Sequence, residues 1–394
     1  METTSTFAGL RCTDCGTVHD VRVSHRCPDC DGALDPSYDL GASEVTTESL
    51  TPDPSAGIAA YADLLPFPAG ALVTAGEGAT PLVDCPDLAD ALGVGAVYVK
   101  DEGHSTTGAA IDRGMALAVS AAVGHGASDV AVPSMGNGGQ AGAAYAARAG
   151  IDSHSFVPSR TPFVNKAMIN VHGGDMSVVG GRYADAAEAF ADAMDEEDWH
   201  SLAPVETPYR HEGAKTLAYE IAAQLDWVAP DAVVQPTGHG TEVLGLEKGF
   251  RELTELAFLD EQPRLCAAQA AGCAPIATAW EDAADDTDAW ETPDTIVGPL
   301  EIPDPAAGDR VLDALEATGG AAIATPDQDI LEGATSLAQA GVTMGASGGA
   351  AHSAAQALAE DGAFESDDVV VLVNPTSGNK EADVLRSHLM SKGI

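Results

Sequence analysis

Short β-branched runs, each followed by a glycine-bearing turn and an Ala-rich stretch, recur along this chain and leave few folds open to it. Val97-Tyr98-Val99 reads as a strand ahead of a helix from Gly114 to Val123. Val130-Ala131-Val132 leads through a Gly-rich turn into a helix from Gly139 to Ala149. Ala232-Val233-Val234 repeats the arrangement, as does Val369 to Val373 near the end. Strand, turn and helix in repeated order predict an α/β protein with a parallel sheet covered on both faces. Ligands in such sheets sit outside the carboxyl ends of the strands, so the glycine turns are where chemistry is expected. At 394 residues the chain is long enough for a body of two lobes plus small additions. Residues 1–40 are polar and hold four of the seven cysteines. Residues 41–75 form a Pro-, Thr- and Ser-rich wrapping segment, and 76–394 the two-lobed body, its smaller lobe roughly 100–200.

The charge balance constrains the surroundings more than the fold. The 61 acidic residues outnumber 18 basic ones, for a net charge of −43, and only six of the basic residues are lysine. Such like charge destabilises a compact state in dilute buffer. At 1 M salt the Debye length falls to about 3 Å and the repulsion is largely screened. The acids are spread along the chain, as in Asp192, Asp195 and Glu196 and again in Asp282, Asp285 and Asp286, which predicts a solvated coat suited to a salt-filled cytosol. Nucleic acid is disfavoured as a partner because a phosphate backbone would be repelled. Met1 to Gly9 shows no targeting pattern, and no apolar run approaches the ~18 residues of a membrane span. A soluble cytoplasmic protein with reduced thiols is expected.

Cys12-x2-Cys15 and Cys27-x2-Cys30 lie eleven residues apart. Two such knuckles can converge four thiolates on one tetrahedral ion, which predicts a structural zinc site with no position left open for catalysis. Cys85, Cys266 and Cys273 have no ligand spacing and are expected in the core.

Past the linker, motifs follow one another in the order of the threonine synthase family of pyridoxal-phosphate enzymes. The cysteine ribbon ending in Asp39 resembles the knuckle of archaeal members, and Gly76-Glu77-Gly78-Ala79-Thr80-Pro81-Leu82 resembles the family's opening motif. Val99-Lys100-Asp101-Glu102-Gly103 resembles the strand before the cofactor lysine, and Thr207 to Thr216 resembles another family run. Ser134-Met135-Gly136-Asn137 resembles the turn that holds the cofactor's phenolic oxygen and the substrate carboxylate. Pro236-Thr237-Gly238-His239-Gly240-Thr241 sits where the family has its phosphate-cradling loop, and Thr376 or Ser377 where it places a hydroxyl against the pyridine nitrogen. The resemblance implies the two-lobed fold of tryptophan synthase beta and threonine synthase, with an N-terminal zinc ribbon, in a haloarchaeal-type member. It implies pyridoxal phosphate held by Asn137, Gly238, His239, Gly240, Thr241 and Thr376, and substrate contacts from Ser134, Gly136 and Gly138. A homodimer, and an amino acid or phospho-amino acid as ligand, follow from the same likeness.

One segment departs from the pattern. Where the family reads roughly TGSFKDRG, this chain has Thr107-Gly108-Ala109-Ala110-Ile111-Asp112-Arg113-Gly114, which puts Ile111 in the place of the lysine that holds the cofactor and moves protons. Lys100 and Lys215 are the substitutes to consider, and His104 is a further proton carrier; Lys166, Lys248, Lys380 and Lys392 show no reason to reach the pocket. Glu242 adds an acid beside the phosphate loop, and Met135, Gly138 and Gly139 stand where the family often carries small hydroxyls. The family reaction, O-phosphohomoserine to threonine, is therefore expected to be impaired. The alternatives are an active enzyme of the family's chemistry, a β/γ-replacement or elimination at an amino acid with Lys100, Lys215 or His104 moving protons; a non-catalytic protein binding an amino acid or cofactor as regulator or subunit; and a scaffold whose ribbon recruits a partner.

Overall fold

In the computed structural model, residues 1–53, 55–342 and 344–393 are described, with the side chain of Ala42 set aside. Among the described residues, thirteen strands follow in chain order: β1 (Phe7–Cys12), β2 (Val18–His19), β3 (Leu34–Tyr38), β4 (Leu82–Asp84), β5 (Ala96–Asp101), β6 (Asp129–Pro133), β7 (Asp152–Pro158), β8 (Asp175–Val179), β9 (His200–Ser201), β10 (Ala232–Pro236), β11 (Arg264–Ala270), β12 (Ala321–Thr325) and β13 (Val369–Asn374). They form an antiparallel ribbon β2-β1-β3, a large sheet β12-β11-β10-β13-β5-β4 and a small sheet β8-β7-β6-β9. The small sheet is parallel throughout, and the large one is parallel except for β4 at its edge. Strands β10 and β13 are almost wholly buried, because helices cover both faces.

Five helices bear on the site: α1 (Ile111–His125), α2 (Asn137–Ala149), α3 (Phe163–Val171), α4 (Tyr209–Ala214) and α5 (Thr241–Glu255). The helix expected from Gly114 begins at Ile111, and the one expected from Gly139 begins at Asn137. Each starts at its glycine turn rather than at the first apolar position, since a first helical turn needs no apolar periodicity. Both stop at a glycine in left-handed geometry, Gly126 (φ 83°) and Gly150 (φ 73°). Where α1 passes α4, a Cβ on Gly114 would lie 2.5 Å from the Arg210 carbonyl oxygen. Only glycine admits this backbone-to-backbone approach, and it sets where α4 delivers Arg210.

Within residues 41–75, short 3-10 turns bury Leu50, Ile58, Tyr61 and Leu64, and Leu65 and Phe67 are buried beside them. Cys85, Cys266 and Cys273 are buried, as expected. The ribbon is fastened by charge. Asp35 on β3 accepts from His211 Nε2 at 2.7 Å and Lys248 Nζ at 3.0 Å, while Tyr38 donates to Glu212 at 2.5 Å. Beneath the opening motif, Arg113 on α1 donates to both oxygens of Glu102 (2.8 and 2.9 Å) and both of Glu220 (2.7 and 2.8 Å), all fully buried. Bidentate geometry on both sides is what allows three buried charges to coexist. No helix among the described residues is long and apolar enough to cross a membrane.

Candidate functional site

A cavity partly open to solvent lies at the carboxyl ends of the strands, where the topology predicts a ligand. Its wall combines Ser134, Met135, Asn137 and Gly138 after β6, Gln235, Pro236, Gly238, His239, Thr241 and Glu242 around the start of α5, and Pro375 and Thr376 after β13. Ile111 joins them from the first residue of α1. The Ala110 N–H donates to the Pro375 carbonyl at 2.9 Å, so the segment ending at Ile111 is stitched to the chain after β13. Glu301, between the lining residues Leu300 and Ile302, pairs with Arg160 at 2.5 Å and Arg182 at 2.9 Å, which tie that segment to the loops after β7 and β8.

Most of the residues singled out in the sequence meet here. Asn137, Gly238, His239, Thr241, Thr376, Ser134 and Gly138 line the cavity. Gly136 and Gly240 stand just behind it. A Cβ on Gly136 (φ 129°) would lie 2.6 Å from Asn165 Nδ2, and one on Gly240 (φ 92°) would strike Val311. Thr376 donates its hydroxyl to the Gly108 carbonyl at 3.2 Å, whereas Ser377 uses its backbone N–H for the same oxygen and lies off the wall. His239 is pushed down to about 3 by burial, so it is neutral at ordinary pH.

Three expectations are corrected. Lys100 is buried and spends its three donors on Glu220, Gln224 and the Thr80 carbonyl, each at 2.8 Å. Lys215 is buried between Glu212 (2.5 Å) and Glu252 (2.9 Å), 4.0 Å from the Tyr38 ring centre. Neither lines the cavity, because both are structural counter-ions for buried carboxylates. His104, with its side chain 57% exposed beside Asp101, lies outside as well. Lys380, set aside in the sequence reading, comes closest: its Nζ donates to Asn137 Oδ1 at 3.1 Å.

Arg210 was missed. It lines the cavity nearly buried, gives one N–H to the Leu202 carbonyl at 3.1 Å, and leaves its Nε with no partner. Burial pulls its pKa down and Glu242 opposes the shift. A buried guanidinium with a free donor in so acidic a chain marks a place for an anion. The scarcity of basic residues was the available signal.

The cavity fits pyridoxal phosphate in most respects. Arg210 and the unpaired N–H groups opening α5 suit a phosphate, and Thr241 takes up Glu242 at 2.8 Å while Arg210 faces its charge. Asn137 and Thr376 suit ring heteroatoms. What is missing is an amine on the wall, since no lysine lines it. At the ribbon, the Sγ atoms of Cys12, Cys15, Cys27 and Cys30 lie within 4.8 Å of one another, with Cys12–Cys30 at 3.5 Å and Cys15–Cys27 at 3.8 Å. Tetrahedral zinc with bonds of about 2.3 Å spaces its thiolates by roughly 3.8 Å, so these four can hold such an ion.

The family described as "Pyridoxal-phosphate dependent enzyme" matches residues 73–376. Threonine synthase of Methanosarcina acetivorans is 34% identical over 368 residues, covering 92% of this chain and 90% of the relative. Threonine synthase of Methanocaldococcus jannaschii is 32% identical, covering 95% and 93%. Among solved structures, diaminopropionate ammonia lyase from Escherichia coli superposes with a TM-score of 0.69 at 19% identity, covering 81% of this chain and 89% of that one. The processed threonine deaminase isoform 2 from Solanum lycopersicum gives 0.67 at 19%, covering 80% and 83%.

Proposed function

The chain belongs to the pyridoxal-phosphate dependent enzyme family, with threonine synthases among its relatives, and on that premise we propose that it is a diverged threonine synthase-like protein. It binds pyridoxal phosphate or an amino-acid ligand without a covalent anchor, and it turns over O-phosphohomoserine poorly or not at all. The single observation that carries this is Ile111 on the cavity wall, with every lysine absent from that wall. In such a state the protein serves as a regulator or subunit rather than as the working lyase. We place it in a salt-filled cytosol, where its net charge of −43 is screened, and we assign structural zinc to the four ribbon cysteines.

Bound pyridoxal phosphate supplies an electron sink for charge developing at an amino-acid α-carbon. Arg210 and the start of α5 would hold its phosphate, and Asn137 would offer its side-chain N–H to an oxygen acceptor. Pro299, Leu300 and Ile302, tied down through the Glu301 ion pairs, shield this part of the cavity from water. Proton movement is where the site is deficient. Ile111 carries no titratable atom, and His239, at about 3, is too weak a base to work near neutral pH. Losing a general base costs about 10²–10⁴ in rate.

The test is a titration of the purified protein with pyridoxal phosphate in molar KCl, followed by borohydride and peptide mass spectrometry, with O-phosphohomoserine turnover measured alongside. Reversible binding without a fixed adduct, and turnover near background, are expected. A lysine peptide fixed in stoichiometric yield, or rapid turnover, would overturn the reading. Chelating the ribbon metal is expected to lower Tm by at least about 5 °C. The reason is that β3 carries Asp35 and Tyr38 into the charge cluster on α4 and α5. An unchanged Tm after verified metal loss would remove zinc from the account.

A further inference from the structure

We propose that Lys380 is a positioning residue, whose ammonium fixes the Asn137 side-chain amide so that its N–H groups rather than its oxygen face the cavity. A lysine ammonium donates and cannot accept, so the Asn137 atom 3.1 Å from Lys380 Nζ has to be the oxygen. That oxygen also accepts from Asn165 Nδ2 at 2.9 Å. Both neighbours therefore bind the same end of the amide. Asn137 Nδ2 donates to no protein group among the described residues, and Asn137 lines the cavity, so its N–H groups are left for whatever occupies it.

A second observation makes the arrangement reversible. Asn165 Oδ1 is buried with no partner. If Lys380 loses its proton, its nitrogen can accept. Asn137 and Asn165 can then turn together: Asn137 gives its N–H groups to Lys380 and to the orphaned Asn165 oxygen, and presents its own oxygen to the cavity. Lys380 is only 7% exposed, and burial pushes its pKa down to about 8, against the pull of Asp112 on α1 and its neighbour Glu381. His172, just past α3, also faces it: burial and then Lys380 lower that imidazole's pKa. Below pH 8 the cavity thus favours a ligand oxygen that accepts, and above it the preference weakens. For pyridoxal phosphate as occupant the inference rests on the function proposed above; the amide orientation itself does not.

The experiment reads the orientation first, in the protein alone in molar KCl. The Asn137 side-chain amide resonances, assigned by their loss in Asn137→Ser, are followed by NMR from pH 6.5 to 9.5. A shift with a midpoint near pH 8 is expected, absent in Lys380→Met. No shift in wild type, or the same shift in the variant, overturns the proposal. If Lys380→Met does not fold, Lys380→Arg replaces it: a permanently charged donor should hold the amide unshifted through pH 9.5, and a shift there overturns the idea. Pyridoxal phosphate affinity is then compared between wild type and Lys380→Met at equal pH, which cancels the ligand's own ionisation. About tenfold weaker binding in the variant at pH 7 is expected, the scale of one hydrogen bond, with the gap closing by pH 9.5. An amide that titrates in a protein that does not bind pyridoxal phosphate would remove that cofactor from the proposed function and leave this inference standing.

Discussion

Replacing Ile111 with lysine should convert reversible binding of pyridoxal phosphate into covalent attachment at that one position. Residue 111 sits on the cavity wall with Asn137, Gly238 and Thr376, so a lysine amine there enters a cavity whose other polar groups are already in place. After borohydride, the peptide containing residue 111 should carry the label in near-stoichiometric yield in Ile111→Lys and none in wild type. Turnover of O-phosphohomoserine should rise by about 10²-fold or more as a base and a covalent anchor are restored together. It should still fall short of a dedicated enzyme, because Ala109, Ala110 and Met135 also line the cavity in place of the family's residues. The variant brings a second amine into the neighbourhood of Asp112 and Lys380, and Asp112 is already pushed up to about 6 by burial. That carboxyl should ionise more readily beside the new cation. If the variant binds pyridoxal phosphate as tightly as wild type but remains unlabelled, Ile111 is not where the anchor belongs. If neither protein binds it, the cavity has been adapted to another ligand.

The largest effect on stability should come from Arg113→Ala. Removing one member of a buried charge cluster leaves the others uncompensated, at a cost of about 3–5 kcal/mol. Here the loss exposes Glu102 and Glu220 to each other's charge within a fully buried site. At about 2 °C per kcal/mol, Tm should fall by roughly 6–10 °C. The pH dependence carries the sign. Glu220 is held far below the usual carboxylate range by Arg113 and Lys100, against the opposing pull of burial. A depressed carboxylate contributes stability that is present above its unfolded pKa of about 4.3 and is lost as pH falls through the folded value. Wild type should therefore lose stability on acidification below about pH 4. In Arg113→Ala the two carboxylates are better off protonated, so the Tm gap to wild type should narrow between pH 8 and pH 5. A gap that stays constant over that range would mean the cluster is not ionised as described. A drop of less than about 2 °C would show that Lys100, 2.8 Å from Glu220, carries the burden alone.

Local signals in the chain were enough for much of this. Parallel strands, the glycine turns between them and the cysteine knuckles all depend on neighbours a few residues apart, where periodicity and turn chemistry operate. The turn at Gly136 and Asn137 and the loop at Gly238 therefore fell where expected, and each reached the cavity. The order of motifs carried the family as well, since nearly the whole chain takes part in it.

The roles of the charged residues were decided by the tertiary structure alone. Lys100 and Lys215 looked available in the sequence, and only the packing of helices onto β5 and against the ribbon turned them into counter-ions of Glu220, Glu212 and Glu252. Arg210 reached the cavity because Gly114 lets α1 and α4 touch backbone to backbone. Lys380 meets Asn137 across 243 positions of chain, and Asn165 meets it across 28. Composition and spacing say which residues can carry a proton or a charge. Which carboxylate, amide or cavity each one faces depends on long-range closure of the fold, and the energy of a buried charge is set by that partner.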